Sequence, residues 1–232
     1  MIDRRLNYGR SRIRAFLEEA RPFRSVLDLG AGHGDDLLLA RAVAPEAKLH
    51  ALETEPSCQA ELRALGVEVF AQNLERDRLP FADGAVDVVV MNQVLEHVKE
   101  VFWILHEVSR VLPVGGSLLL GVPNLASLHN RLLLLAGRQP SPIKTASAHV
   151  RGFTRGDVLH FLESGFPGGY AVRGFAGSNF YPLPARLAEP LSRALPTLAW
   201  AIFFRLVKQR AYDGGFLRFP AAQKLETDFY LG

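Results

Sequence analysis

The chain has a single cysteine, Cys58, so an internal disulfide is excluded; the expected setting is the reducing cytoplasm, with Cys58 as a small packing residue. It also lacks any apolar run approaching the ~18 residues of a membrane span. The most apolar stretches are LLLLA (132–136) and LAWAIFFRLV (198–207), and a core helix and a core strand explain them more simply than loose membrane contact. No apolar segment follows the early arginines, so no secretory signal is expected. Excess charge is scarce as well. The formal net charge is only +3, and the preference for Arg over Lys reflects genome composition as readily as a polyanion, so no nucleic-acid partner is expected. The early arginines Arg4, Arg5, Arg10, Arg12 and Arg14 read as a solvated helix face, with Glu18 four residues after Arg14. There is no internal repeat.

What is present suffices for one core. At 232 residues and 48% hydrophobic content, one domain with a modest appendage is expected, as a monomer or homodimer. Strand-length apolar runs at 25–29, 48–53, 67–71, 86–91 and 116–122 alternate with helical patterns near 34–44, 57–65 and 98–112. That alternation predicts a parallel sheet with helices on both faces. Beyond Pro123 the pattern predicts helices near 125–136 and 155–164. Two late strands follow, in GGYAVRGF and LAWAIFFRLVKQ, with a link punctuated by Pro182, Pro184, Pro190 and Pro196.

The stretch DLGAGHGDD (28–36) follows the first strand and opens a helix. A dinucleotide fingerprint needs G-x-G-x-x-G, whereas here Gly30, Gly32 and Gly34 give G-x-G-x-G and Asp35 stands at the third glycine's place. Asp35 and Asp36 already satisfy the helix macrodipole, so a pyrophosphate would meet like charge. Asp28 and Glu53 add further acids at neighbouring strand ends. Opposite charges ~5 Å apart attract by roughly 3 kcal/mol at an effective dielectric near 20, so the crevice favours a cationic adenosine cofactor over NAD.

Four blocks extend this reading: VLDLGAGHGDD (26–36), LHALETEP (49–56), LERDRLPFADGAVDVVVMNQVLEHV (74–98) and VSRVLPVGGSLLLGVPN (108–124). With them the chain resembles the class I S-adenosylmethionine-dependent methyltransferases, in the branch called the type 11 methyltransferase domain. The weaker phrase HVRGFT (149–154) continues the likeness. The resemblance implies an α/β, Rossmann-like, doubly wound sheet of seven mostly parallel strands, in the order 3-2-1-4-5-7-6 with the last strand antiparallel. It divides the chain into an N-terminal helix and lid (1–24), the methyltransferase domain (25–210) and a tail packing on that domain (211–232). Acceptor-side insertions fall at about 123–153 and 176–197. S-adenosyl-L-methionine is the implied cofactor. Asp28, Gly30, Ala31 and Gly32 would hold its methionine end, and Glu53 with Thr54 its ribose. Asn73 and Leu74 would hold the adenine, with Glu75 or Asp77 as rivals. Asn92 and Gln93 would meet the cofactor's methionine portion beside the acceptor, unless they only cap the next helix.

Methyl transfer to a hydroxyl needs alignment and a base, most often histidine near neutrality. His97, beside the crevice, and His149, entering the segment that should cover it, are the candidates. His33 is expected to shape the turn, and His50, His106, His129 and His160 to be surface or packing residues. Asp and Asn spacings assemble no magnesium-type cluster, so no metal is expected. Arg151, Arg155 and Arg173 read as solvated termini or as a grip on an acidic acceptor. Tyr8 is a candidate lid, and Phe229 and Tyr230 are candidates for a tail docking at the acceptor opening. The expected partner is a small acceptor such as a glycan precursor, a quinone or another metabolite. The rivals are a non-catalytic cofactor-binding regulator and an NAD(P)-dependent oxidoreductase; the latter is disfavoured by Asp35 and by the lack of a Tyr-x-x-x-Lys pair.

Overall fold

The computed structural model describes residues 4–225. Seven strands form one sheet: β1 (Ser25–Leu29), β2 (Lys48–Leu52), β3 (Glu68–Phe70), β4 (Val88–Asn92), β5 (Ser117–Pro123), β6 (Tyr170–Ser178) and β7 (Ala201–Lys208). Their order is β3-β2-β1-β4-β5-β7-β6. The first five are parallel, and β7 runs antiparallel to both of its neighbours. This is the order that the resemblance implied, including the reversed strand.

The sequence of β4 shows why both faces are covered. Val88-Val89-Val90-Met91 is apolar on both sides of the pleat, as a buried parallel strand must be. Val89 and Met91 join the core beneath α5 (Val101–Val111), α7 (Arg155–Gly165) and α9 (Gly215–Ala222). Val88 and Val90 join the opposite core beneath α2 (Arg10–Glu19), α3 (Asp35–Val43) and α4 (Pro56–Ala64). Helix α5 buries Ile104, Leu105, Val108 and Val111 at the spacing of one helical face, and Pro113 follows its end. The short α1 (Arg4–Asn7) precedes α2, and α6 (Leu128–Leu135) follows β5.

The proline-punctuated link is more ordered than its sequence suggests. Residues Ala185–Ala194 form α8, with Pro190 inside it. An interior proline costs about 3 kcal/mol, but α8 seats the fully buried Ala188 against Phe180 and Ala199, and tertiary packing decides. Near the end of the described chain, α9 buries Phe216 among the residues of α5 and α7. Phe229 and Tyr230, with the tail docking expected of them, lie outside the described residues.

A buried ion pair fixes the long connection from β3 to β4. Arg110 and Glu107, one turn apart on α5, pair at 2.6 Å, with both side chains almost wholly buried. Leu79 N–H donates to Glu107 Oε2 at 2.7 Å, and Arg110 donates to the carbonyls of Leu79 and Phe81 and to Asp83. Removing one partner strands the other charge in the core. Glu107→Ala is therefore expected to lower unfolding stability by about 3–5 kcal/mol, whereas the double change Glu107→Leu with Arg110→Met costs far less. Urea unfolding of the two variants, compared as a cycle with the single changes, measures the difference.

Candidate active site

The sheet order reverses between β1 and β4, and the crevice outside their carboxyl ends is where such sheets bind ligands. A cavity of about 690 Å³ opens there. Asp28, Gly30, Ala31, Gly32, Asn92 and Gln93, all predicted from the sequence, line it together with Tyr8, Arg10, Asp35 and Asp36. Asp28 is only 3% exposed at the end of β1. Burial, and then the nearby Asp36, hold its carboxyl well above the usual carboxylate range.

The glycine loop works mainly through shape. Gly30 N–H donates to the Leu52 carbonyl at 2.8 Å and Gly32 N–H to Glu53 Oε2 at 2.7 Å, so both amides are already engaged. Gly34 has φ +81°, and a Cβ there would come within 2.7 Å of Leu62 Cδ2. The close approach of two elements thus falls on Gly34, and its partner is α4. Glu53 is a staple: Oε2 holds the loop, and Oε1 accepts from the amides of Thr54 and Glu55 at 2.8 and 2.9 Å. Glu53, Thr54, Asn73 and Leu74 are not among the residues lining the cavity. The exposed Asn73 uses Oδ1 to accept from Glu75 N–H at 2.9 Å, and its own N–H donates to Asp77. Glu75 accepts in turn from the amides of Lys99 and Glu100.

The acid pair differs from its sequence reading. Asp35 and Asp36 do not face the crevice as free charges, because Arg10 bridges both, at 3.1 Å from Asp35 and in closer contact with Asp36. The side chain of Asn92 donates to Asp36 Oδ2 at 2.9 Å and to the Tyr8 carbonyl at 3.0 Å. Of the three aspartates around the loop, Asp28 is thus the one that Arg10 does not pair with. Arg10 and Tyr8 reach this position because Gly9, at φ +55°, lies where a Cβ would stand 2.3 Å from the Phe203 ring. Ser178 Oγ donates to the Leu6 carbonyl, and Asn179 to Asn7 Oδ1 at 2.6 Å, which ties the same segment to the end of β6.

A second cavity of about 230 Å³ adjoins the first, and Tyr8 and Gln93 line both. Gln93 holds φ +61°, a left-handed conformation that is uncommon for a residue with a side chain, and its N–H is pinned to the Gly121 carbonyl at 2.8 Å. The other walls are Asn7, Glu96, Pro123, Ser141, Pro142 and Trp200, with both predicted histidines, His97 and His149. The imidazole rings meet edge to face with centroids 4.6 Å apart. Val150 N–H donates to the Glu96 carbonyl at 2.8 Å, and this backbone bond lays the His149 segment against the Leu95–His97 turn. Arg151, Arg155 and Arg173 are absent from both linings: Arg151 caps the Lys99 carbonyl, and Arg155 lies over the Phe175 ring.

Glu96 was missed in the sequence. It is 1% exposed, and neither carboxylate oxygen has a hydrogen-bond partner. Burial pushes it up to about 8, and its own nearby backbone N–H offsets this only in part. Its one signal was a carboxylate within the apolar run Val94-Leu95 after β4. His97 sits below the ordinary imidazole range through partial desolvation and then the neighbouring His149.

Comparison with known proteins places these features among methyltransferases. The family described as methyltransferase domain matches residues 2–163. A probable S-adenosylmethionine-dependent methyltransferase of Mycolicibacterium smegmatis is 29% identical over 76% of this chain and 67% of its own length. One from Mycobacterium tuberculosis is 36% identical over 62% of this chain and 48% of its own length. The chain spans a third to two thirds of the curated relatives it matches. Among solved structures, a possible histamine N-methyltransferase of Thermotoga maritima shares the fold with a TM-score of 0.60. Its identity is 19%, over 88% of this chain and 91% of its own.

Two outcomes are expected. A carboxyl raised on folding binds more protons in the folded than in the unfolded chain, so its stability contribution falls as pH rises between the two values. For Glu96 that window runs from about 4.5 to about 8. Glu96→Gln is expected to flatten the decline and raise stability at pH 8 by a few kcal/mol, since each pH unit across the window is worth about 1.4 kcal/mol. Denaturant melts at half-unit pH steps in chelating buffer test this, and an unchanged slope would contradict it. Gly9→Ala combines left-handed strain with a ring clash and is expected to cost about 2 kcal/mol or more. Calorimetry should show the melting temperature falling by roughly 4–8 °C.

Proposed function

The chain belongs to the methyltransferase domain family, and on that premise we propose that it methylates a hydroxyl oxygen of a small, flat acceptor, using S-adenosylmethionine. The observation carrying this reading is the pair of adjoining cavities that share Tyr8 and Gln93 as a common wall. When bound, the cofactor supplies a methyl group already activated on a sulfonium. The larger cavity fits it, since the buried Asp28 suits an ammonium and Gln93 Nε2 is a buried donor without a partner. Asp28, Gly30, Ala31, Gly32, Asn92 and Gln93 would hold the methionine end. Glu53 and Thr54 would take the ribose, and Asn73 and Leu74 the adenine.

The chain's own contribution is alignment and proton removal. Seating the acceptor beside the shared wall fixes its approach, and such orientation is worth ~7–11 kcal/mol. His149 Nδ1 lies 2.8 Å from the Pro142 carbonyl. A carbonyl only accepts, so Nδ1 carries the proton and Nε2 keeps its lone pair. The His97 ring lies edge to face against the His149 ring, with centroids 4.6 Å apart. The His149 imidazole can thus take up a hydroxyl proton. Tyr8, Trp200, Pro123 and Pro142 favour a phenolic or quinol ring, and the lack of a lining Arg in this cavity disfavours a phosphorylated sugar.

Calorimetric titration is expected to show binding of S-adenosylmethionine and S-adenosylhomocysteine and none of NAD; binding of NAD alone would overturn the assignment. With methyl-labelled cofactor and a panel of phenols, quinols and sugars, label should enter the phenolic class. His149→Ala is expected to reduce kcat about 100-fold or more while leaving S-adenosylhomocysteine affinity within about threefold.

A further inference from the structure

We infer that Glu96, His97 and His149 form a site for one divalent transition-metal ion, of the zinc or cobalt class, in the wall of the acceptor cavity. Each offers one ligand atom, and these atoms lie within 4.8 Å of one another. Metal bonds to imidazole nitrogen and carboxylate oxygen measure about 2.0–2.2 Å, so modest rotation of the exposed His97 side chain closes the set.

Three independent features select a cation. The Glu96 carboxylate is buried with both oxygens unpartnered, and among the described residues no Lys or Arg forms an ion pair with it. A buried carboxylate in that state holds a proton or a cation. His149 donates its Nδ1–H to the Pro142 carbonyl, the outer arrangement that fixes a metal-binding histidine's tautomer and ring plane. The backbone bond from Val150 to Glu96 holds the two ligand-bearing segments together. Two nitrogens and one carboxylate favour zinc-class ions, whereas magnesium and calcium require oxygen ligands throughout.

Three protein ligands leave a fourth position open. The inference rests on the reading of this cavity as the acceptor side. In the loaded protein the acceptor hydroxyl occupies the open position and the cation acidifies it, replacing imidazole as the group that promotes proton loss. The proton leaves to water. The oxygen lone pair forms the bond to the methyl carbon, and the carbon–sulfur bond breaks with its electron pair on sulfur. No oxidant or reductant is needed.

The test uses the whole chain, stripped with chelator and titrated with Zn²⁺ and, separately, with Co²⁺, followed by calorimetry and visible absorption. One equivalent is expected to bind, with cobalt giving the intense bands of four-coordinate geometry. Glu96→Gln and His149→Ala should each weaken binding at least 100-fold while retaining S-adenosylhomocysteine affinity, which shows that they are folded. Failure to take up an equivalent below about 100 µM, or unchanged affinity in both variants, would overturn the site. Methyl transfer that persists at full rate in stripped protein would remove its catalytic part and leave the His149 imidazole as the direct base. Loss of S-adenosylhomocysteine binding by the unaltered chain counts instead against the methyltransferase reading, so the two failures are distinguishable.

Discussion

The contact of Arg10 with Asp36, with Asn92 donating to the same carboxylate, is the interaction on which the site depends. Asp28, Asp35 and Asp36 converge at the start of one helix. Their mutual repulsion would open the crevice if all three stood unpaired. Arg10 bridges two of them from outside the sheet, offsetting part of that repulsion, and so draws the segment after α1 across the cavity mouth. Tyr8 then falls between the two cavities. The geometry of the site is therefore a consequence of charge balance, carried by a segment that contributes no strand.

The sheet was legible because its physics is local. Runs such as Val88-Val89-Val90-Met91 can only be buried on both faces, and the alternation with helical periods leaves few topologies. Helix α8 was not legible, because the packing that outweighs Pro190 comes from Phe180 and Ala199, whose contacts no local pattern reveals. Six of the ten expected cofactor residues line the larger cavity, since all six lie at the ends of β1 and β4 or in the turns directly after them. Charge was harder to read than shape. Asp35 and Asp36 looked like free acids because nothing in DLGAGHGDD announces Arg10, and Glu53 looked free because its amide partners are backbone. Residue type and position picked out His97 and His149 separately, but their encounter depends on a backbone bond between Val150 and Glu96 that leaves no sequence mark.

Glu96 and Asp28 belong to one class of compromise. Each is a buried carboxyl whose charged form the fold disfavours, and neither would persist for stability alone. Gln93 adds a left-handed backbone at the junction between them. Strain and desolvation are thus concentrated along the line from β1, through the shared wall, to the turn after β4, while the cores on both faces stay apolar. Such local cost can be carried because α5, with its internally satisfied Arg110–Glu107 pair, anchors the neighbouring connection independently.

The two cavities also differ in how they are built, and this bears on how acceptor choice can vary. The larger one is made by consecutive turns of the sheet edge, whose positions are fixed by strand pairing between β1, β2 and β4. The smaller one gathers side chains from the N-terminal segment, the turn after β4, the last residue of β5, the Ser141–Pro142 turn, the His149 segment and the residue before β7. Apart from the turn after β4, these pieces touch the sheet only at its carboxyl edge. Substitutions among Ser141, Pro142 and Trp200 can reshape the smaller cavity without moving a ladder hydrogen bond, whereas a change at Asp28 or Gly30 alters the strand end itself. On the proposed reading, acceptor specificity would in this sense be mechanically separable from cofactor binding, with Gln93 and Tyr8 as the two side chains that any such change must respect.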